Sequence, residues 1–161
     1  MLNAILREYE PDRDAEALRE CFIELQDHEA DMVPGEPTGA DIVNEYIPWM
    51  LERCEHFQGK LFVAEIGQQV VGFVTLLARV PRSEPDDSDP EYALISELVV
   101  KSGFRGHGIG KALMQTAEDY ARSCGALALR IAVTAINTRA KNLYLAKGFQ
   151  EAQIILTKRI G

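Results

Sequence analysis

The chain has few of the residues that build covalent or metal-bound frameworks. Its 161 residues include three cysteines, three histidines and a single tryptophan. Cys21, Cys54 and Cys124 are odd in number and form no Cys-x-x-Cys pair, which argues against a disulfide framework and favours reduced, packed thiols. The histidines are equally scattered, at His28, His56 and His107. Since none has the spacing of zinc ligands, we expect no metal.

Long hydrophobic runs are also missing. No apolar stretch approaches the roughly 20 residues that a membrane-spanning helix needs, so we expect no membrane partner. Residues 1–8 lack the basic segment and apolar core of a secretory signal, which together with the scattered cysteines predicts a cytoplasmic protein. With 161 residues, 47% of them hydrophobic, the chain is long enough for one domain, expected to span residues 1–161.

Acidic and basic residues are distributed unevenly along the chain. Residues 1–98 contain 22 acidic and 7 basic side chains, a net charge of −15, whereas residues 99–161 contain 3 and 10, a net charge of +7. The basic part suits a polyanionic ligand and the acidic part suits a cationic one, although a solvated acidic surface would have the same composition. The isoelectric point of about 4.9 argues against a nucleic-acid partner, because phosphate contacts dominate affinity for nucleic acids.

Apolar periodicity predicts alternating strands and helices. The predicted strands cover residues 4–9, 61–66, 70–78, 92–100, 127–133 and 153–157. The predicted helices cover residues 11–27, 40–54, 109–123 and 138–147. Pro48 predicts a kink or break of the second helix near Ile47. Strands that alternate with helices in this way favour an α/β sandwich with a mixed sheet.

The most informative segment lies where the strand at 92–100 leads into the helix at 109–123. Arg105 is followed there by Gly106, Gly108 and Gly110. Backbone amides at the start of a helix have no partner within it, and glycines let a phosphate approach them. A Walker loop is excluded because Gly110-Lys111 lacks the following Ser or Thr. The Gly-x-Gly-x-x-Gly dinucleotide fingerprint does not fit either, so the segment predicts a pyrophosphate site of another kind.

This Arg-Gly-x-Gly-x-Gly segment resembles the acetyl-coenzyme A signature of the GCN5-related N-acetyltransferases, Arg/Gln-x-x-Gly-x-Gly/Ala. Residues 137–149 resemble a second segment of that family, Asn-x-x-Ala-x-x-Leu-Tyr-x-x-x-Gly-Phe. The resemblance implies the family's α/β/α sandwich with a mixed, centrally splayed sheet. In that fold the strand at 92–100 and the parallel strand at 127–133 separate, and the pantetheine arm of acetyl-coenzyme A lies between them. A homodimer is expected as well, because many members of the family are dimers.

The resemblance also implies which residues hold acetyl-coenzyme A. Those expected to bind it are Leu98, Val99, Val100, Arg105, Gly106, His107, Gly108, Ile109, Gly110, Lys111, Asn137, Arg139 and Tyr144. In the family the asparagine of the second segment, here Asn137, helps to hold the pantetheine arm. The tyrosine, here Tyr144, lies beside the sulfur.

Acetyl transfer to an amine needs a polarised thioester carbonyl, a neutral amine and a proton for the leaving thiolate. Backbone amides near residues 98–100 are expected to polarise the carbonyl. Tyr144 is expected to be the general acid, on the strength of the resemblance; its alternative is a core tyrosine that packs the last helix.

Glu97 is the candidate general base. It is the one carboxylate inside an otherwise apolar strand, and burial would raise its pKa. The alternative to a catalytic role is that the Glu97 carboxylate is paired with another group for structural reasons. Some family members place the key glutamate one residue earlier, where this chain has Ser96, and adjacent strand residues normally face opposite sides of a sheet.

Further candidates crowd the end of the first predicted helix, near where acceptors bind in the family. The residues expected to bind the acceptor, or to serve as a base directly or through water, are Asp27, His28, Glu29 and Asp31, with Ser96 from the strand. A solvated helix end is the alternative for each of the helix residues. The sequence thus predicts an N-acetyltransferase that moves the acetyl group of acetyl-coenzyme A to a primary amine by direct transfer in a ternary complex. The expected acceptor is a cationic small molecule or peptide; the alternative function is an acetyl-coenzyme A-binding sensor without turnover.

Overall fold

The computed structural model describes residues 2–161, which form five strands and four α-helices. The strands are β1 (Ile5–Glu8), β2 (Lys60–Ile66), β3 (Gln69–Pro81), β4 (Glu91–Val100) and β5 (Leu129–Ile131). The helices are α1 (Pro11–Met32), α2 (Gly39–His56), α3 (Ile109–Ser123) and α4 (Thr138–Ala146). A short 3₁₀ turn, Ser102–Phe104, follows β4. None of the helices within this described part of the chain is long and apolar enough to cross a membrane.

The five strands form one mixed sheet in the order β1-β2-β3-β4-β5. Neighbouring strands are antiparallel except for β4 and β5, which run parallel. The parallel pairing is short and ends where Ile95 lies beside Ile131. Because β4 continues to Val100 beyond this last pair, the two strands separate and leave an opening in the sheet. The fold is therefore the predicted α/β sandwich with a mixed, splayed sheet.

Helices cover both faces of this sheet. On one face, Leu113 and Ala117 of α3 are buried in one cluster with apolar side chains of β3 and β4. On the other face, Phe22 of α1 and Met50 of α2 are buried in one cluster with Phe73 of β3. Residues 70–78 of β3 are all buried, as expected for a strand whose two faces are both covered.

The junction between α1 and α2 is tightly built. A Cβ atom added to Gly39 would lie 2.5 Å from the Cα of Ile23, so a larger residue would push the two helices apart. The Thr38 side chain accepts a hydrogen bond from the Asp41 amide, and the Asp41 carboxylate accepts one from the Thr38 amide. Asp27 Oδ1 accepts a hydrogen bond of 2.8 Å from the Gly39 amide. This carboxylate therefore fixes the start of α2.

The structure contradicts two sequence-based predictions about regular structure, the first of them in part. α2 continues through Pro48 without the predicted break, because the burial of Val43 and Met50 on either side of the proline holds the helix together. The predicted strand at 153–157 does not form. Its side chains are mostly solvent-exposed, with Ile155 at 82% and Leu156 at 90%.

Other elements differ from the prediction in length. α1 runs to Met32 rather than ending at residue 27, and β5 covers Leu129–Ile131 rather than residues 127–133. The added turn of α1 brings Glu29 and Met32 to the opening between β4 and β5. The short β5 is one reason for the missing last strand, since a strand forms only where a neighbour offers backbone and side chains to pair with.

Candidate functional site

A β-bulge in β4 changes which face of the sheet its side chains meet. Thr75 of β3 pairs with Glu97, but the next β3 residue pairs with Ile95, so Ser96 is the extra residue of the bulge. Ile95 before the bulge and Leu98 after it both join the core on the α3 side. Glu97 consequently faces α1 and α2 rather than α3. The Ser96 hydroxyl donates a 3.0 Å hydrogen bond to Glu97 Oε1, so these neighbours share one face, contrary to simple strand alternation.

Glu97 is a buried carboxylate that forms no ion pair within residues 2–161. Only 4% of the residue is exposed. Its Oε1 accepts the hydrogen bond from Ser96, whereas Oε2 has no hydrogen-bond partner in the described part of the chain. Burial raises the pKa of Glu97 to about 7, against the opposing effects of the Ser96 hydrogen bond and the Arg53 charge. At neutral pH this carboxyl group can therefore take up or release a proton.

A cavity of about 520 Å³ lies between the end of β4, the start of α3 and α4. Twelve of the thirteen residues predicted to bind acetyl-coenzyme A line it: Leu98, Val99, Val100, Arg105, Gly106, Gly108, Ile109, Gly110, Lys111, Asn137, Arg139 and Tyr144. His107 is the exception, since its exposed side chain lies outside the wall. Side chains of α1, including His28 and Glu29, close the opposite side.

The glycines of this cavity form a cradle at the amino end of α3. Gly106 and Gly108 both have φ of +81°, a left-handed conformation that residues with a Cβ atom rarely adopt. A Cβ atom added at either position would meet no protein atom within 4 Å. Gly108 precedes the first turn of α3, whose amides have no partner within the helix and carry the positive end of its dipole. The space before these amides is therefore open to an anion.

Positive side chains surround the cradle. Arg105 Nε donates a 2.8 Å hydrogen bond to the Val100 carbonyl oxygen, which ties the guanidinium to the end of β4. The same guanidinium lies 3.6 Å from the Glu24 carboxylate. Lys111 and Arg139 add two further cations to the wall. Backbone amides and fixed cations together suit a polyanionic ligand.

A second cavity, of about 360 Å³, lies on the α1 and α2 side of the opening. It is lined by Phe22, Leu25, Gln26, Glu29, Tyr46, Ile95, Ser96, Glu97, Leu98, Ile131, Ala132, Val133, Thr134 and Tyr144. The Tyr46 and Phe22 rings stack with their centroids 4.4 Å apart. Burial and the Glu97 charge both raise the pKa of the Tyr46 phenol, so this phenol stays protonated at neutral pH.

The two cavities share part of their walls. Leu25, Glu29, Leu98 and Tyr144 line both of them. Glu29 Oε2 accepts a 2.6 Å hydrogen bond from the Thr134 hydroxyl, which links α1 to the segment after β5 across the opening. Burial, and to a lesser extent the Glu29 charge, raises the pKa of the Tyr144 phenol. A molecule in the larger cavity and a molecule in the smaller one would therefore meet beside Tyr144.

The structure divides the predicted acceptor-binding residues into two groups. Glu29 lines both cavities, His28 lines the larger one and Ser96 lines the smaller one. Asp27 and Asp31 line neither cavity. Asp27 instead caps the start of α2, and Asp31 is exposed. Of the four predicted residues at this end of α1, only His28 and Glu29 therefore line a cavity, because the four side chains leave the helix in different directions.

Sequence reasoning missed several residues of the smaller cavity. Tyr46 comes from α2, and Thr134 from the segment that follows β5. Neither residue lies in a motif. The packing of α2 over the bulge brings Tyr46 to Glu97, and the position of the chain after β5 brings Thr134 to Glu29. Among residues 2–161, no three His, Cys, Asp or Glu side chains are grouped so that they could hold a metal ion.

The fold is shared with N-acetyltransferases of known structure. A GCN5-related N-acetyltransferase from Ralstonia eutropha JMP134 superposes with a TM-score of 0.75 at 21% identity, over 99% of this chain and 100% of that one. Glucosamine-6-phosphate N-acetyltransferase from Arabidopsis thaliana gives a TM-score of 0.69 at 17% identity, over 99% of both chains. At these identities the likeness concerns the fold alone.

Sequence comparison gives the family. Residues 15–149 match the model of the acetyltransferase (GNAT) family, and the chain belongs to that family. N-acetyltransferase 8F1 of Rattus norvegicus is 35% identical over 112 residues, which cover 70% of this chain and 45% of that relative. The chain thus spans a little under half the length of this relative.

The larger cavity fits the acetyl-coenzyme A that members of this family use. Coenzyme A carries a pyrophosphate, and the open space at Gly106 and Gly108 leaves the first-turn amides of α3 accessible to it. Arg105, Lys111 and Arg139 supply cations for its phosphates. The end of β4 has parted from β5 by this point and has free backbone groups for the amides of a pantetheine arm.

Proposed function

We propose that the chain is an acetyl-coenzyme A-dependent N-acetyltransferase that acts on a primary amine. One observation carries this proposal: the cavity that fits coenzyme A shares four wall residues with a second cavity that holds the buried carboxylate of Glu97. Such an arrangement suits two substrates bound at the same time, and hence direct transfer in a ternary complex. We further propose that the acceptor is a cationic small molecule or peptide, since the second cavity contains two carboxylates.

The residues of the larger cavity would hold acetyl-coenzyme A. The first-turn amides of α3, Arg105 and Lys111 would bind its phosphates, and Asn137 and the end of β4 would bind the arm that leads to the opening. Acetyl-coenzyme A supplies the acetyl thioester, whose C–S bond breaks as the new C–N bond forms. Backbone groups on the edge of β4 that faces away from β3 could polarise a carbonyl there, because the pairing of this edge with β5 ends at Ile95.

Glu97 would remove a proton from the acceptor nitrogen. An ammonium has no lone pair, so the amine must lose a proton before or during attack. The unpartnered Oε2 of Glu97 is the acceptor for that proton, directly or through water. Its raised pKa of about 7 makes it a stronger base than an ordinary carboxylate, while a useful fraction is still ionised at neutral pH.

Tyr144 would supply the proton that the leaving thiolate needs. Its position on both cavity walls places the phenol where the two substrates would meet. The raised pKa of this phenol keeps it protonated at neutral pH, which is the state that a general acid requires.

The test is release of free thiol from acetyl-coenzyme A by the purified chain in the presence of a panel of amines. An N-acetyltransferase is expected to release thiol only with suitable amines, together with an equal amount of N-acetylated product detected by mass spectrometry. Binding of coenzyme A without thiol release for any amine would instead indicate a sensor without turnover. The same mixtures without the protein give the background rate for each amine.

A further inference from the structure

We infer that the smaller cavity selects an acceptor with two amino groups and no anionic group, an α,ω-diamine. In this arrangement Glu97 faces the nitrogen that reacts, and Glu29 pairs with the nitrogen that stays charged. The inference rests on the proposed function and names its acceptor.

The first argument is the balance of charge in the cavity wall. The wall contains two carboxylates, Glu29 and Glu97, and none of its fourteen residues is a lysine, arginine or histidine. Arg53 is close enough to lower the pKa of Glu97, yet neither carboxylate forms an ion pair within residues 2–161. Two carboxylates that face one cavity without a protein cation favour a ligand that brings positive charge of its own.

The second argument is the state of each carboxylate. Glu97 is 4% exposed and its Oε2 has no hydrogen-bond partner in the described part of the chain, so a donor from a ligand would satisfy a buried acceptor that the protein leaves open. Glu29 is half-buried at the boundary of the two cavities. The Thr134 hydroxyl holds one of its oxygens, which fixes the carboxylate and leaves the other oxygen for a second donor.

The third argument is what lies between the carboxylates. The remaining wall is largely apolar or aromatic, with the stacked rings of Phe22 and Tyr46 on one side and Ile95 and Ile131 on another. Such a surface suits an alkyl chain. It offers no cation to a carboxylate or phosphate, so an amino acid or a sugar phosphate would bring an anion into a wall that already contains two carboxylates.

Three probes of similar length test this inference. Cadaverine, n-pentylamine and ε-aminocaproate each have a primary amine on a chain of five carbons. The fifth carbon carries an ammonium in cadaverine and a carboxylate in ε-aminocaproate, and it is the terminal methyl group of n-pentylamine. We expect kcat/KM for cadaverine to exceed that for n-pentylamine by roughly 10- to 100-fold, as for a hydrogen bond to a charged group. ε-Aminocaproate should be the poorest acceptor. The corresponding probes one methylene shorter and longer guard against a mismatch of length.

Two variants distinguish the effect of the Glu29 carboxylate on acceptor preference from the effect of the overall negative charge of the chain. Glu29→Gln should raise KM for cadaverine toward that for n-pentylamine and so remove most of the difference in kcat/KM between the two amines. Asp31→Asn removes the same charge two residues away, where the side chain lines neither cavity, and it should keep the full preference. Thr134→Val keeps the Glu29 carboxylate and removes its hydrogen-bond donor, so it should cause a smaller loss of the preference for cadaverine. This variant replaces Glu29→Gln as the test if Glu29→Gln does not fold.

The outcomes distinguish the inference from the function on which it rests. Equal kcat/KM for cadaverine and n-pentylamine, or a preference that Asp31→Asn removes and Glu29→Gln does not, would overturn the diamine inference. Calorimetric titration of the coenzyme A complex with cadaverine and n-pentylamine measures the same preference without turnover. Tighter binding of cadaverine without thiol release would support the inference and overturn the proposed enzyme activity.

Discussion

The hydroxyl of Ser96 donates a 3.0 Å hydrogen bond to Oε1 of its neighbour Glu97. In a regular strand these side chains would point to opposite faces. The bulge at Ser96 turns both toward α1 and α2, where Glu97 meets the smaller cavity and the charge of Arg53. Because the bulge re-aims a single carboxylate, it decides which side of the sheet has this buried carboxyl group.

Replacing Glu97 by glutamine should slow turnover without loss of the fold. Glu97→Gln keeps the size of the side chain and removes its ability to accept a proton, so kcat should fall by on the order of 10²-fold or more. The wild-type rate should rise with pH as a group with a pKa of about 7 ionises. A variant that retains both normal kcat and this acidic limb would assign the proton transfer to another group, with Glu29 the first candidate.

The same substitution should change how stability depends on pH. Burial raises the pKa of Glu97 from its ordinary 4.5 to about 7. Between these values the native state holds a proton that the unfolded state has lost, so the stability contributed by this residue falls as pH rises through that window. The Glu97→Gln variant lacks this loss, so its free energy of unfolding should rise by about 3 kcal/mol relative to that of wild type between pH 4 and 8. Urea unfolding at several pH values measures it, and a constant difference would contradict the buried, pKa-shifted carboxylate.

Tyr144→Phe should reduce turnover and leave coenzyme A affinity nearly unchanged. The variant keeps the ring and removes the proton donor, so kcat should fall by roughly 10²- to 10⁴-fold. Tyr120→Phe is the matched control: its hydroxyl donates to the Gln58 carbonyl outside both cavities. That control should lose about 1 kcal/mol of stability and keep its rate. Full activity of Tyr144→Phe would show that the Tyr144 phenol is not the proton donor.

Gly108→Ala should weaken coenzyme A binding more than an equally strained substitution elsewhere. Gly108 and Gly125 have φ of +81° and +83°, and an added Cβ atom would meet no protein atom within 4 Å at either. Both alanine variants should therefore lose a similar stability, about 1 kcal/mol. Only Gly108 lines the larger cavity. Calorimetry with coenzyme A should show weaker binding for Gly108→Ala alone, and equal affinities for the two variants would argue against the cradle.

Much of the fold follows from local sequence signals. The apolar stripe after Gly108 predicted α3 with its observed ends, and the apolar run at 92–100 predicted β4. The prediction at 153–157 was wrong, because strand propensity does not say whether a neighbouring edge is present. The break at Pro48 was wrong, because packing outweighed the lost hydrogen bond.

The site was predictable where it lies in contiguous motifs. The glycine-rich segment, the segment at 137–149 and the end of the strand before the glycines together contain the twelve predicted residues that line the larger cavity. The smaller cavity combines side chains from five separate parts of the chain, so Tyr46 and Thr134 have no signal in the sequence. The bulge that reorients Glu97 also has no signal in the sequence, since the bulge depends on how β3 and β4 pair.

The most direct test of transfer between the two cavities is the initial rate of thiol release with both acetyl-coenzyme A and cadaverine varied. Direct transfer in a ternary complex predicts saturation in both substrates and reciprocal plots that intersect, with one N-acetylcadaverine formed per thiol released. Parallel plots would contradict direct transfer, because they indicate an acetylated enzyme. Thiol release no faster than in the same mixture without the protein, although the chain is folded and binds coenzyme A, would contradict the proposed activity itself.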